Sequence, residues 1–167
     1  ASQPYKNFDK KIIFRLNGMS QSHEGISIKE KMIPLVKREP ELIHGIRNIV
    51  HNALKFSKSH VDINLITNST KINLEITDDG KGFPNDITNM IGEPFLKKSN
   101  FDLMEVKNRT SEERMGLGLF IANILLEKTK GRLKFSNMQQ IENDGKKRIP
   151  GAKVEISWER SSIEVLQ

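Results

Sequence analysis

Between Val61 and Ile76 apolar residues alternate twice around a polar turn: Val61, Ile63 and Leu65, then Asn68-Ser69-Thr70, then Ile72, Leu74 and Ile76. A period of two puts these residues on one face of a hairpin, and that face has to be covered. The cover is present on both sides in the chain. Leu42, Ile46, Ile49 and Ala53 recur at helical spacing from Glu39 to about Phe56, with Pro40 where a missing N–H costs nothing. Glu39 and Glu41 suit the positive end of that helix. Leu119, Ala122 and Leu126 mark a second helix, predicted from Leu117 to about Thr129, with Gly131 predicted at the left-handed position that ends it. Lys11 to Asn17 reads as a further strand, and Ile28 to Lys37 as a weaker candidate. Leu133 and Phe135, then Val154, Ile156 and Trp158, close the chain as a pair of strands around Asn143-Asp144-Gly145. Antiparallel-looking strand pairs with two inserted helices predict an α/β sandwich of the α+β class, its mixed, mostly antiparallel sheet covered on one face by helices.

With 167 residues, all of residues 1–167 fit one domain. Charged residues at 29% and apolar ones at 36% describe a globular protein, and no apolar run reaches the roughly 20 residues needed to span a bilayer. The absence of cysteine removes disulfides, thiolate metal sites and thiol redox chemistry from this stretch. A formal charge of +6 suits anionic partners. The cations are scattered among acids and are not interleaved with aromatics, which argues against a nucleic-acid groove.

From Gly80 to Met115 the regular pattern lapses into Gly, Pro, Asn and charge, with a short helical possibility near Asp86 to Ile91. A loop that long in a compact domain is usually functional, often a lid. Around it lie four short motifs. On the first helix, Asn48, Asn52 and Lys55 fall within an arc of roughly 60° beside the apolar stripe and can point into one cleft. An amide oxygen of Asn52 can complete the shell of a magnesium ion, and Lys55 can meet phosphate as a point charge. Alone, the same residues are equally the solvated face of an amphipathic helix.

Asp78-Asp79-Gly80-Lys81-Gly82 follows a strand directly. The glycines allow a sharp turn and close approach to a ligand, and an ionised Asp78 accepts hydrogen bonds only, which selects an adenine amine over a guanine carbonyl. An ordinary Asp-Gly turn explains the same letters. Gly116-Leu117-Gly118-Leu119 stands where the second helix is predicted to begin, so its backbone N–H groups are candidates for phosphate binding. By itself this is a weak signal, and it is neither a Walker A loop nor a dinucleotide fingerprint. Glu93-Pro94-Phe95, within the loop, is a candidate hinge or packing anchor.

Taken in order, the four motifs resemble the N, G1, F and G2 boxes of the GHKL ATPases, and in particular of histidine kinase catalytic domains. The similarity runs from about Lys37 to Trp158. LVKREPELIHGI, the GEPF segment and MGLGLFIANILLEKTKG are most similar to the RegB/PrrB-type, redox-responsive sensor kinases. The resemblance implies a Bergerat fold with ATP between helices and sheet under a lid at about residues 83–115. It implies Asn52 as the Mg2+ ligand, Lys55 on phosphate and Asp78 on the adenine amine. Gly80 and Gly82 would lie beside the base and Gly116 and Gly118 under the phosphates, with Phe95, Arg114, Leu117 and Leu119 also in the nucleotide site. Asn48 stands where hydrolytic relatives carry a water-activating glutamate. An amide cannot be a general base, which favours phosphoryl transfer to a protein over hydrolysis.

Three positions depart from the kinase pattern. Arg114 replaces a glycine at the first G2 position, Ala152 follows Gly151 where many relatives have threonine, and His51 precedes Asn52 where an acidic or small residue is usual. His51 is expected to face solvent. Arg114 and Ala152 keep open a second reading, a degenerate nucleotide-binding module that acts by docking to a partner. The lid cations Lys97, Lys98, Arg109 and Arg114 are candidates for steadying phosphates, or are solvated surface.

Ser22-His23-Glu24 has the look of a phosphoacceptor, but only 29 residues separate His23 from Asn52, too few for the two-helix dimerisation unit that carries an acceptor. The phosphorylated histidine and its dimerisation domain are therefore expected N-terminal to Ala1, together with any sensor anchored in the bacterial inner membrane. This piece itself is expected to be cytoplasmic and monomeric, the full-length protein a homodimer. The expected partners are the dimerisation and histidine phosphotransfer domain of the same protein and a downstream response regulator.

Overall fold

The computed structural model describes residues 10–17, 19–20, 33–83, 111–141 and 147–165. In chain order the elements are β1 (Lys11–Leu16), β2 (Met19–Ser20), α1 (Pro40–Phe56), β3 (His60–Thr67), β4 (Lys71–Asp78), α2 (Ser111–Lys128), β5 (Arg132–Ile141), β6 (Lys147–Glu159) and α3 (Arg160–Ile163). The strands form a 6-stranded sheet in the order β2-β1-β3-β4-β6-β5. β1 runs parallel to β3 and every other pairing is antiparallel. This is the mixed, mostly antiparallel sheet that the sequence predicts.

The alternation in each strand divides the sheet into two unlike faces. Val61, Ile63 and Leu65 of β3 lie opposite Asp78, Ile76 and Leu74 of β4, and the row continues through Val154 and Ile156 of β6 to Phe135 and Leu133 of β5. This is the face that the helices cover. Ile49 of α1 is 1% exposed, and Leu126 of α2 and Ile156 beneath them are fully buried. Each such side chain contributes about 1.5–3 kcal/mol by leaving water. The face continues onto β1, where Phe14 is 55% exposed. The opposite face is polar: Lys153 Nζ lies 3.1 Å from Glu75 and 3.2 Å from Glu155, and Arg15 Nε lies 2.6 Å from Asp62.

α1 begins with proline at its first turn and keeps Leu42, Gly45, Ile49 and Ala53 buried. A Cβ added to Gly45 would lie 2.5 Å from Leu126 Cγ, so glycine sets how closely α1 and α2 approach. Two expectations are corrected. α2 starts at Ser111 rather than Leu117, because Ser-Glu-Glu-Arg-Met supplies helix-compatible residues with acids in the first turn. The left-handed position after α2 is Lys130, at φ 62°, not Gly131. Gly131 is needed for space, since a Cβ there would lie 2.7 Å from Trp158 Nε1. That indole donates to Thr129 Oγ1 at 3.0 Å, and the Thr129 hydroxyl donates to the carbonyl of Leu126 at 2.7 Å, which closes the end of α2.

Within Ile28 to Lys37, residues 33–37 form no strand beyond an isolated bridge between Val36 and Glu164. The segments Asp86 to Ile91 and Asn143-Asp144-Gly145 lie outside the described residues. Among the described residues no helix is long and apolar enough to cross a membrane.

Candidate functional site

Where β4 ends, the covered face continues past its apolar residues into a cleft between sheet and helices. Asn52 from α1, Asp78 and Gly82 from the end of β4 and its following turn, Leu119 from α2, and Ala152 from β6 all line it. Ile49, Phe56 and Phe83 supply apolar walls. The cleft thus has the composition of a small-molecule site: mostly apolar, with a few convergent polar groups.

Asp78 is 6% exposed. Its Oδ1 accepts from the backbone N–H of Gly80 at 2.8 Å and of Ala152 at 3.4 Å. Burial raises its carboxyl pKa above the ordinary range, partly offset by those two amides. Among the described residues both backbone donors are directed at Oδ1, which leaves Oδ2 to accept from a ligand N–H. Gly80 is needed for space, because a Cβ there would lie 2.4 Å from the carbonyl oxygen of Phe56 and 2.7 Å from Asp78 Oδ1. Gly82 is needed for conformation, with φ 82° in the left-handed region.

Gly118 of α2 packs directly against the Asn52 side chain. A Cβ on Gly118 would come within 3.0 Å of Asn52 Nδ2, and that nitrogen is buried with no hydrogen-bond partner among the described residues. An orphaned buried donor costs about 1–3 kcal/mol, so among the described residues the Asn52 amide holds a donor available to a ligand. Among the described residues no cluster of three or more His, Cys, Asp or Glu side chains is placed to hold a metal. A magnesium ion fits only if phosphate and water supply most of its shell and Asn52 Oδ1 one position, the arrangement this metal favours.

The remaining candidates divide. Lys55 is exposed, with Nζ 5.1 Å from the centroid of the Phe56 ring, and so stands over a residue that walls the cleft. Asn48 is half-buried on the same helix without lining the cleft, and His51 is exposed, as its helical angle predicts. Gly116 and Leu117 lie inside α2 beyond its first turn, as does Gly118, so the expected helix start at these glycines is corrected. In the helix their N–H groups bond to carbonyls four residues back. Nothing is described of the Arg114 side chain, and Phe95, Lys97, Lys98, Arg109 and His23 lie outside the described residues.

Sequence reasoning missed four contributors. Lys10 Nζ donates to the carbonyls of Leu54 at 2.6 Å and Ser57 at 2.7 Å, capping the C-terminus of α1 below Asn52. Asp79 accepts from the amides of Lys58, Ser59 and His60 at 2.8–3.3 Å, which ties the turn after α1 to the glycine loop. The Ala152 N–H and the Asn137 side chain complete the set. Of these, only Asn137 carried a signal: it extends the inward alternation of Leu133 and Phe135 with a polar residue.

Residues 37–161 match the family described as histidine kinase-, DNA gyrase B- and HSP90-like ATPases. The whole chain is 36% identical over 169 residues to the sensor histidine kinase RegB of Cereibacter sphaeroides, and it spans 35% of that protein's length. Among solved structures, the mycobacterial sensor histidine kinase MprB superposes with a TM-score of 0.59 at 19% identity, covering 95% of this chain and 85% of that one. The catalytic domain of histidine kinase ThkA gives 0.56 at 15% identity, covering 91% and 79%. Full-length ShkA in complex with AMPPNP gives 0.57 at 15% identity, covering 93% and 26%. The chain therefore belongs to the histidine kinase-, DNA gyrase B- and HSP90-like ATPase family and is a catalytic ATPase domain of the kind that sensor histidine kinases carry.

Proposed function

We propose that this domain binds Mg-ATP in the cleft between α1, α2 and the end of β4, and transfers the γ-phosphoryl group to a histidine on a separate dimerisation domain of the same protein. The observation that carries the reading is that the Asn52 amide and the buried carboxylate of Asp78 line one cleft, with Gly118 packed against Asn52. Asp78 Oδ2 accepts the exocyclic amine of adenine while Gly80 and Ala152 hold Oδ1 still. A guanine carbonyl at that position would face a second acceptor, so the site rejects it.

A magnesium ion, held by Asn52 and the phosphates, would supply neutralisation of phosphate charge. Asn52 orients that end of the nucleotide, and Lys55 stands over Phe56 as a mobile cation that can swing onto phosphate. No carboxylate from α1 enters the cleft to activate water: position 48 is an asparagine, whose amide neither takes nor gives a proton at neutral pH. Transfer to an external imidazole requires alignment and charge neutralisation, and these groups supply both.

Phosphate binding by Gly116 and Gly118 has a structural requirement. Their N–H groups are committed within α2, so the helix has to open over its first turns before those donors can face an anion. Glycine lowers the cost of opening, because each one weakens a helix interior by about 1 kcal/mol relative to alanine.

The partners of this reading are the dimerisation domain and, after it, a response regulator; the full-length protein acts as a homodimer, with this domain on the cytoplasmic side. The test mixes the domain with γ-labelled ATP and the dimerisation unit of the same protein. Label on the histidine supports transfer. ATP binding without transfer leaves a docking module, and no magnesium-dependent binding in calorimetry ends the reading.

A further inference from the structure

Asn137 sits on β5 at the edge of the cleft, opposite Ala152 of β6. Its side chain does one thing twice: Oδ1 accepts the backbone N–H of Phe83 at 2.6 Å, and Nδ2 donates to the carbonyl oxygen of the same residue at 2.9 Å. A single primary amide thereby satisfies both polar groups of one peptide residue, as a neighbouring strand would. Only an amide side chain has a donor and an acceptor side by side for this; a carboxylate has acceptors alone.

The residue held in this way matters to the cleft. Phe83 is 8% exposed and walls the nucleotide pocket, with its ring edge-on to Phe135 at 5.8 Å between centroids and 82° between planes. It follows Gly82, whose left-handed φ of 82° swings the chain in from the end of β4. The glycine loop is therefore fastened at both ends, by Asp78 Oδ1 on Gly80 and by Asn137 on Phe83. If Phe83 left its place, Asn137 would keep a half-buried amide with neither partner, at a cost that favours the docked loop.

We infer that Asn137 is a positioning residue of the nucleotide site: its clasp on the Phe83 backbone holds the glycine loop in its ligand-bound shape before the ligand arrives. The inference rests on the nucleotide reading above. It belongs to this chain's own residues, because the clasp needs an amide at 137. Preorganisation of this kind appears as affinity, since ordering the loop is no longer charged to binding.

The experiment measures ADP affinity by calorimetry for the unchanged chain, N137A and N137D, with G131A, crowded against Trp158 at the far end of α2, as a destabilised control remote from the clasp. Asn137→Ala is expected to weaken ADP about tenfold, the scale of losing two neutral hydrogen bonds. G131A is expected to lower Tm while leaving affinity within about twofold. Asn137→Asp is the discriminating variant. Its carboxylate accepts from the Phe83 N–H but repels the Phe83 carbonyl, and its neutral acid form restores the donor. The affinity ratio between N137D and the unchanged chain, taken at each pH, should therefore close as the pH falls to and below about 4. Amide exchange at Phe83 should accelerate in both variants without nucleotide. If the unchanged chain binds no ADP, the nucleotide reading fails and takes this inference with it. If it binds while N137A matches it, or the N137D ratio stays flat with pH, the positioning role alone is overturned.

Discussion

Gly151 lies against the backbone of Asp78 so closely that a Cβ added to it would sit 1.6 Å from the Asp78 carbonyl oxygen. Its φ is +153°, a conformation in which side-chain-bearing residues are strained. β6 can bring the Ala152 N–H to Asp78 only because position 151 has no side chain. Gly151→Ala is expected to destabilise the domain by about 3 kcal/mol in urea unfolding, and any folded remainder to bind ATP weakly. A variant that unfolds at the unchanged midpoint would show that the strands separate here at no cost.

The Asp78 carboxyl is raised by burial. A carboxyl whose pKa is higher in the folded than in the unfolded chain makes the nucleotide-free domain less stable as pH rises through that interval. Asp78→Asn removes the desolvated charge, so the free domain should melt a few degrees higher at pH 7, while ATP affinity falls about a hundredfold. In the unchanged domain ATP affinity should drop as the pH falls through the raised value. Tight ATP binding by D78N would move the base elsewhere.

Asp79 behaves in the opposite sense. Partial burial works against its charge, but the Ser59 hydroxyl and the amides of Ser59, His60 and Lys58 outweigh it and hold the carboxyl well below the usual range. Its stabilising contribution is complete above the ordinary aspartate pKa and is lost as pH falls toward the folded value. The gap in Tm between the unchanged domain and D79N should therefore be widest near neutrality and narrow below about pH 4. A gap that is constant from pH 3 to 7 would sink the assignment.

Gly116→Ala separates helix stability from nucleotide binding. Alanine should stabilise α2 by up to about 1 kcal/mol, visible as a higher Tm and more helical circular dichroism. It should weaken ATP several-fold, because the donors become harder to release. Tighter ATP binding by G116A would rule out opening of the helix.

The hairpin, α1 and the closing strands are legible because each carries a period in its apolar residues, and α2 is legible only from Leu119 on, where Leu119, Ala122 and Leu126 recur. α1 was placed correctly at both ends, since proline marks its start and the stripe from Leu42 to Ala53 its extent. The start of α2 was misplaced because Ser111–Met115 has no apolar period to announce a helix; propensity and end charges alone build it. Gly131 reads by its type as the left-handed residue that ends α2, whereas crowding by the Trp158 indole, a contact between residues distant in sequence, is what demands a glycine. In the cleft, Asn52, Asp78 and Gly82 could be read from their elements. Lys10 and Asp79 could not, because the partners that fix them to the loop are mainly backbone atoms that a sequence does not display.

The register of the sheet binds chemistry to foldedness. In β4 and β6 the residues turned toward the helices are the even-numbered ones, Ile72, Leu74 and Ile76 opposite Trp158, Ile156 and Val154. Asp78 and Ala152 are simply the next even numbers in each run, just as Asn137 is the next odd one after Leu133 and Phe135 on β5. Parity therefore decides both what is oily and what lines the cleft. Deleting or inserting a single residue within β4 would turn its greasy row outward and swap Asp78 for a neighbour in the same stroke. Such lesions cannot spare the scaffold while retuning the pocket; variation in specificity has to come by substitution, in frame.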